Sequence, residues 1–368
     1  MAFGLFKKKK KKESTDSRFF NLTIKEVVRE TSDAVSLVFE EPESGKFNYK
    51  PGQFITVILT VNGKKIRRAY SLCSSPYLKE SPAVTIKKVN GGAMSNFINN
   101  ELKAGDSIEV MEPMGSFTPE ITESNKRQIF LIGGGSGITP LISIAKSILV
   151  KEDQSKVSLI YANRDLDSII FKDAINKLVE QYPDKFNVAH FLENPPQDWT
   201  GYTGWIDASK LGSALNELSD GTYTDVSYYT CGPEPMMNIV MDTLSEMGIA
   251  DDRKHKESFV AGNTSPKEII AEDSQSIVER EVTIILDGEE HKYSVSPKST
   301  ILESGLDQNL DMPYSCQSGL CTACRGKCLS GKVKMDEEDG LSDEEKAEGY
   351  VLLCVGHPLT DDVVVEIG

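Results

Sequence analysis

Four cysteines near the C-terminal end of the chain have the spacing of metal ligands. They follow the pattern C-x4-C-x2-C with a fourth member far downstream: Cys316, Cys321, Cys324 and Cys354. This spacing is typical of a plant-type two-iron, two-sulfur cluster, whose core is held by four thiolates. Small residues such as Ser318, Gly319 and Ala323 lie between them, so backbone N–H groups can approach the sulfurs. The pattern therefore predicts a one-electron carrier here.

Two alternatives to this cluster remain open from the cysteine pattern alone. A zinc site usually contains two C-x2-C pairs, whereas Cys354 has no such partner. Cys328 follows Cys324 and resembles part of the run that binds a four-iron cluster. That run requires a proline after its last cysteine, and Leu329 stands there instead. We therefore expect Cys328 to be a small core residue and not a ligand.

A second group of reactive side chains lies in the first third of the chain, in Arg68-Ala69-Tyr70-Ser71. Alternation along a strand places Arg68 and Tyr70 on one side and Ser71 on the other. A guanidinium can bind a pyrophosphate through two hydrogen bonds, a phenol ring can stack on a flavin, and a hydroxyl can hydrogen bond to its edge. Gly92-Ala93-Met94-Ser95 opens a predicted helix whose N–H groups suit phosphate. Without that second motif, the first would equally fit an ordinary half-buried strand.

A glycine-rich loop follows an apolar run at residues 128–132. Its sequence is Gly133-Gly134-Gly135-Ser136-Gly137-Ile138-Thr139-Pro140. A helix-like pattern follows at residues 141–150, and the order strand, glycine loop, helix is one that binds phosphate groups. The spacing differs from the G-x-G-x-x-G dinucleotide pattern. The loop nevertheless predicts a nucleotide site.

Two more motifs follow later apolar runs, where a parallel sheet would present them at its carboxyl edge. Asn163-Arg164-Asp165 supplies a cation that could meet an adenosine 2′-phosphate, although Asp165 and Asp167 weaken that argument. Cys231-Gly232-Pro233 follows the last run. A lone cysteine is also a common core residue, so this motif by itself does not identify Cys231 as a functional residue.

The elements that must position these residues fall into three groups. Short strands separated by turn residues predict a small antiparallel barrel, with candidates at residues 22–28, 35–39, 54–59, 66–71, 83–89 and 108–111. Alternating apolar runs and helical patterns then predict a parallel α/β sheet, with later helices at residues 169–180 and 235–247. The C-terminal part begins with a hairpin at Asp287-Gly288. Thr300-x-x-Glu303 and Ser342-x-x-Glu345 are capping boxes that should each start a short helix.

Composition narrows the class of protein. The chain has 368 residues, seven cysteines and a net charge of −15, and its last 88 residues hold 18 acidic against 7 basic side chains. Such a charge argues against nucleic-acid binding. An acidic C-terminal part suits docking to a basic protein, and it equally fits surface charge that only keeps the domain in solution. Cysteines used for a cluster predict a reducing cytoplasm.

The motifs together resemble the ferredoxin–NADP reductase family, in which Arg-x-Tyr-Ser and Gly-x-x-Ser bind the flavin. The resemblance implies FAD, NADP(H) or NAD(H), and a C-terminal ferredoxin-like (β-grasp) domain with its 2Fe-2S cluster. It implies these cofactor-binding residues: Arg68, Ala69, Tyr70, Ser71, Ile86, Lys87, Gly92, Met94, Ser95, Gly134, Gly135, Ser136, Gly137, Thr139, Arg164, Cys231, Gly232, Pro233 and Phe259. It also places three residues next to the reacting rings: Ser71, Cys231 and Glu257.

The order of the parts resembles the reductases of bacterial multicomponent oxygenases, most of all those of phenylacetyl-CoA epoxidase and ketosteroid hydroxylase. We expect a basic tail at residues 1–17, a flavin barrel at 18–122, a nicotinamide domain at 123–260, a linker at 261–280 and a ferredoxin domain at 281–368. Electrons would run from NAD(P)H to FAD, to the cluster and to a partner oxygenase component. A diaphorase or ferric reductase, and a redox-sensing regulatory subunit, are the alternatives.

Six consecutive lysines follow the first six residues of the chain, which read Met-Ala-Phe-Gly-Leu-Phe. No apolar segment follows them, so a secretory signal is not expected. No run approaches the length of a membrane span. We expect a disordered tail that touches anionic membrane surfaces at most weakly.

Overall fold

The computed structural model describes residues 19–42, 47–259, 278–338 and 340–367. The lysine tail and most of the expected linker lie outside these residues. Three larger sheets, in chain order, carry the described part of the chain. They match the three element groups expected from the sequence.

An antiparallel sheet of six strands forms the first body within the described residues. Its strands are β1 (Phe19–Thr31), β2 (Ala34–Phe39), β3 (Phe54–Val61), β4 (Lys64–Ser71), β5 (Ala83–Lys87) and β6 (Ser107–Met111), in the order β4-β3-β6-β1-β2-β5. Helix α1 (Ala93–Glu101) joins β5 to β6. Asn62 and Gly63 both have positive φ at the turn between β3 and β4, the backbone twist that a tight hairpin prefers. The expected small antiparallel barrel is confirmed.

The second body is a parallel sheet with helices on both faces. Its described strands are β7 (Gln128–Gly134), β8 (Lys156–Asn163), β9 (Phe186–Leu192), β10 (Tyr202–Thr203), β11 (Val226–Cys231) and β12 (Lys254–Glu257), in the order β10-β9-β8-β7-β11-β12. Its helices are α2 (Ile138–Lys151), α3 (Lys172–Gln181), α4 (Ala208–Leu218) and α5 (Glu234–Glu246), with 3-10 turns at Gly135–Gly137, Leu166–Ser168 and Asp251–Arg253.

Two details of this sheet differ from the expectation. Helix α3 begins at Lys172 and not at residue 169, because Ile169 and Ile170 are buried in the core and Phe171 has a left-handed φ of 62°. Helix α4 was not predicted. Its buried positions Leu211, Ala214, Leu215 and Leu218 have helical spacing, but Gly212 and two serines weaken that signal.

The third body contains a five-stranded mixed sheet in the order β14-β13-β19-β15-β17 and a small β16–β18 pair, within the described residues. The strands are β13 (Arg280–Leu286), β14 (Glu289–Val295), β15 (Arg325–Ser330), β16 (Val333–Met335), β17 (Tyr350–Leu352), β18 (Gly356–Pro358) and β19 (Val363–Ile367). Helices α6 (Ile301–Asp307) and α7 (Asp343–Ala347) start at the two expected capping boxes. This is the ferredoxin-like domain.

Candidate functional site

The three domains meet at one cleft of about 510 Å³. Residues from each domain line it: Arg68, Ala69 and Ser71 from the barrel, Glu257 and Phe259 from the parallel sheet, and Cys316 from the ferredoxin-like domain. Small residues, among them Ala69 and Gly115, leave room in this cleft for a flat ring system. The site expected from three separate motifs is therefore one space in the folded chain.

Ser71 and Glu257 line this cleft, whereas Cys231 lies behind Glu257 on the neighbouring strand and does not line it. Strands β11 and β12 are parallel neighbours with Cys231 opposite Glu257, and the Ser71 hydroxyl lies 3.5 Å from the Glu257 carboxylate across the domain boundary. Burial raises the pKa of Glu257 to about 8, although its contact with Ser71 acts in the other direction. The carboxyl group therefore holds its proton at neutral pH, and Ser71 lies within reach of it.

Cys231 is fully buried at the end of β11. Burial, followed by the nearby Glu257, raises the pKa of its thiol well above the ordinary value. A protonated thiol of this kind is a poor nucleophile. The buried Cys231 thiol is therefore suited to packing and not to nucleophilic or acid–base chemistry.

Arg68 and Tyr70 lie on the other side of β4 from Ser71, as alternation predicted. The Arg68 side chain is exposed, with one guanidinium nitrogen donating to the Arg67 carbonyl at 2.7 Å. Tyr70 is half-buried against the barrel core, and burial raises the pKa of its hydroxyl. Arg68 is thus free to reach an anion, while Tyr70 is held by packing.

The remaining flavin residues do not all present side chains to the cleft. Ile86 and Met94 are buried in the barrel core, so only their backbone could face a ligand. Lys87 lies 3.7 Å from the Asp33 carboxylate. The Ser95 hydroxyl accepts a hydrogen bond from the Val89 N–H at 3.1 Å and thereby holds the turn before α1.

The glycine loop and the Cys-Gly-Pro loop lie against each other. A Cβ placed on Gly137 would stand 2.0 Å from the Cys231 carbonyl oxygen, and one on Gly134 would stand 2.8 Å from Pro233. Gly135 has a φ of 53°, and the Thr139 hydroxyl donates to the Ser136 carbonyl at 3.0 Å. Both loops lie at the carboxyl edge of the sheet, where nucleotides bind in such folds. The residues fit a dinucleotide whose phosphates approach the backbone closely.

Arg164 follows β8 at the same edge and is 59% exposed. Its Nε lies 3.1 Å from the Asp165 carboxylate, which also caps the 3-10 turn that follows. The guanidinium is therefore available to a phosphate but is already partly neutralised by its neighbour.

The four cysteines of the C-x4-C-x2-C pattern and its distant member converge. The thiols of Cys321 and Cys354 hydrogen bond to Cys316 and lower its pKa, and Cys354 also reaches Cys324. Backbone N–H groups point at the sulfurs, from Ser318 to Cys316 at 3.5 Å and from Cys354 to Cys324 at 3.4 Å. Backbone donors of this kind suit thiolates, so the arrangement fits a cluster held by four sulfurs.

Within the described residues, no three Cys, His, Asp or Glu side chains form a site for a single metal ion. A two-iron cluster does not require such a site, because each of its irons is bound by only two of the four cysteines. Cys328 stands apart from the four. It is half-buried at the edge of the core, and its thiol contacts the Ser330 carbonyl at 3.2 Å.

Several lining residues were missed by sequence reasoning. Ser315, Leu320 and Glu337 of the ferredoxin-like domain, and Met241 of α5, also border the cleft. Leu320 lies within the C-x4-C stretch but is none of its ligands, and the other three belong to no recognisable motif. Ser315 could have been singled out only by its position directly before Cys316.

Three family models match the chain in the order of the three domains. They are an oxidoreductase FAD-binding domain at residues 9–118, an oxidoreductase NAD-binding domain at 131–242 and a 2Fe-2S iron-sulfur cluster binding domain at 284–359. Among the described residues, no helix is both long and apolar enough to cross a membrane.

The chain is similar to several curated proteins along nearly its whole length. It is 38% identical to the ferredoxin reductase component of a 3-ketosteroid-9-alpha-monooxygenase of Rhodococcus rhodochrous, over 95% of this chain and 97% of that protein. It is 33% identical to one of the subunits of the 1,2-phenylacetyl-CoA epoxidase of Escherichia coli K12, with the same coverage. Among solved structures, phthalate dioxygenase reductase shares the fold at 23% identity and a TM-score of 0.58, covering 95% of this chain and 98% of that one. With three domains around one cleft and relatives of this similarity, the chain belongs to the family of NAD(P)H-dependent flavin and iron–sulfur reductases that includes the reductase components of multicomponent oxygenases.

Proposed function

We propose that this protein carries electrons from NAD(P)H through FAD and a 2Fe-2S cluster to a separate oxygenase component. The observation that carries the proposal is the position of Cys316. It lines the same cleft as Ser71 and Glu257, so the predicted cluster opens directly onto the predicted flavin site. A regulatory domain that only sensed redox state would not need that proximity.

Electron counting explains why three domains are needed. NAD(P)H gives up two electrons as one hydride, whereas a 2Fe-2S cluster accepts one electron at a time. A flavin can accept electrons as a pair and release them singly. The protein's task is therefore to bring the nicotinamide against one face of the flavin site and the cluster against its edge. The parallel sheet and the ferredoxin-like domain meet at the cleft in a way that supports this arrangement.

The protein's own residues then have separate roles. Arg68 and the N–H groups at the start of α1 bind the flavin phosphates, because they supply positive charge and unpaired donors. Ser71 would hydrogen bond to the flavin, and Glu257, 3.5 Å from the Ser71 hydroxyl, would hold a proton beside it at neutral pH. The glycine loop and Cys231 shape the nicotinamide site. Cys316, Cys321, Cys324 and Cys354 hold the cluster.

The partner is expected to dock on the acidic ferredoxin-like domain. Asp343, Glu344 and Glu348 are exposed on or just after α7, and α7 lies beside β17, which leads to Cys354. Negative charge near the cluster would steer a basic partner. The relatives named above are components of a ketosteroid monooxygenase and of an epoxidase, which supports an oxygenase component as that partner. None of the seven cysteines, all of which lie within the described residues, forms a disulfide. This supports our further proposal of a cytoplasmic location, where disulfides are rare.

Two activities of the purified protein test this proposal. Reduction of an oxygenase component from the same gene neighbourhood should fall steeply as salt rises, because steering is screened beyond roughly 10 Å at 0.1 M salt. Reduction of a small dye that accepts from the flavin should respond less. A chain shortened to end near residue 276 should keep the dye activity and lose the other. Full activity of that shortened chain toward the protein acceptor would contradict the proposal.

A further inference from the structure

Strand β4 packs against the barrel core through one face and contacts the ferredoxin-like domain through the other. Arg68 and Tyr70 lie on one face, and Lys65, Arg67 and Ala69 lie on the other. On the second face, Arg67 Nη2 lies 2.7 Å from one carboxylate oxygen of Asp311, and Lys65 Nζ lies 2.8 Å from the other. Asp311 belongs to the ferredoxin-like domain, so both ion pairs cross the domain boundary.

The two cations differ in how far they depend on Asp311. The Lys65 side chain is 42% exposed, whereas that of Arg67 is 5% exposed. Arg67 also stacks its guanidinium over the Tyr314 ring at 5.5 Å, and its Nε has no hydrogen-bond partner among the described residues. An exposed ion pair contributes little, but a buried charge that loses its partner is strongly destabilising. The boundary should therefore depend on Arg67 and Asp311 far more than on Lys65.

The contacts beside this ion pair lead directly to the predicted cluster. The Thr56 hydroxyl of β3 donates to the Ser315 hydroxyl at 2.5 Å, and both residues are buried. Ser315 precedes Cys316. An apolar group that includes Phe54 and Met114 of the barrel packs against Cys321 and Ala323 of the ferredoxin-like domain. The segment from Asp311 to Cys316 is thus held on the barrel at both of its ends.

We propose that Arg67 is a positioning residue that fastens the ferredoxin-like domain to the flavin barrel through Asp311, and so sets the gap that electrons cross between flavin and cluster. The inference rests on the proposed electron path. In the step concerned, electrons pass singly from the flavin to the cluster, and no bond forms or breaks. Electron tunnelling weakens steeply with distance, so a domain that is loosely docked would receive electrons slowly even when both cofactors are bound.

The test uses the full-length holoprotein and separates three readouts. Rapid-mixing absorption spectroscopy with NADH gives the rate of flavin reduction and, at other wavelengths, the rate at which the cluster is bleached. Small-angle X-ray scattering gives the radius of gyration, which reports docking without relying on activity. The variants are Arg67→Gln, Asp311→Asn and Asp311→Glu.

A matched control is available inside the ferredoxin-like domain. Arg280 forms a 3.0 Å ion pair with Asp361, is mostly buried, and also leaves its Nε without a partner among the described residues. Arg280→Gln therefore removes the same kind of ion pair without touching the boundary. Lys65→Ala removes only the more exposed of the two ion pairs with Asp311.

We expect Arg67→Gln and Asp311→Asn to slow cluster bleaching by roughly tenfold or more, to leave flavin reduction unchanged, and to increase the radius of gyration. Asp311→Glu should restore part of the rate, and Arg280→Gln should not change it. The proposal would be overturned if the cluster of Arg67→Gln were bleached at the wild-type rate. It would also be overturned if flavin reduction and cluster bleaching were slowed equally. If Arg67→Gln does not fold, Asp311→Asn alone decides, because Asp311 is 58% exposed. If the wild type reduces its flavin but never its cluster, the electron path itself is wrong.

Discussion

The Ser71 hydroxyl and the Glu257 carboxylate lie 3.5 Å apart and join the flavin barrel to the parallel sheet across the cleft. Ser71 is the last residue of β4 and Glu257 is the last residue of β12. The contact between them therefore forms only when the two domains are packed together. Their pairing places a proton-holding acid beside the predicted flavin ring.

Glu257 should give flavin reduction a characteristic pH dependence. Its pKa of about 8 means that it is neutral at pH 7 and becomes negative as the pH rises through that value. A negative charge opposes the delivery of electrons to a neighbouring ring, so the rate should fall above about pH 8. Glu257→Gln should make the profile flat in this range. Rapid mixing with NADH from about pH 6 to about pH 10 measures it, and an unchanged fall in the variant would contradict the assignment.

Substitution of single cysteines should distinguish the cluster ligands from Cys328. Cys354→Ser should lose or strongly change the visible absorption of the cluster, because Cys354 contacts both Cys316 and Cys324. Cys328→Ser should keep it, since that thiol contacts the Ser330 carbonyl instead. Iron content and the visible spectrum after anaerobic purification provide the measurement, with the reverse pattern excluding this ligand set.

We expect a modest preference for NADPH over NADH, on account of Arg164. Asp165 limits that preference because its carboxylate lies 3.1 Å from the guanidinium. Asp165→Asn keeps an acceptor that can cap the following turn and removes the competing charge, so it should raise the preference. Arg164→Leu should lower kcat/KM for NADPH more than for NADH. Equal or better kcat/KM with NADH in the wild type would refute the expectation.

Gly137 should tolerate no side chain. Gly137→Ala would place its Cβ 2.0 Å from the Cys231 carbonyl oxygen, and we expect a loss of roughly 1–3 kcal/mol in stability together with weaker nicotinamide binding. Gly212→Ala is the matched control, because no atom lies within 4 Å of its added Cβ in helix α4. It should stabilise the protein by up to ~1 kcal/mol. Thermal unfolding of both variants checks the contrast.

Local patterns in the sequence were sufficient for much of the fold and for the chemistry of each motif. Strand alternation correctly separated Ser71 from Arg68 and Tyr70, and the capping boxes correctly placed the starts of α6 and α7. The cysteine spacing was also sufficient to predict a cluster. Such patterns are informative because neighbours along a strand, helix or short loop are held in fixed geometry whatever the rest of the chain does.

Tertiary structure decided which of these motifs meet. It buried the side chains of Ile86 and Met94 in the barrel core. Neither alternation along β5 nor the helical spacing of α1 says which face of the element is inside. It brought Cys316 to the cleft of Ser71 and Glu257, and it placed Asp311 between Lys65 and Arg67. These contacts join domains that lie far apart in sequence. They depend on how whole surfaces pack, and no local periodicity encodes that.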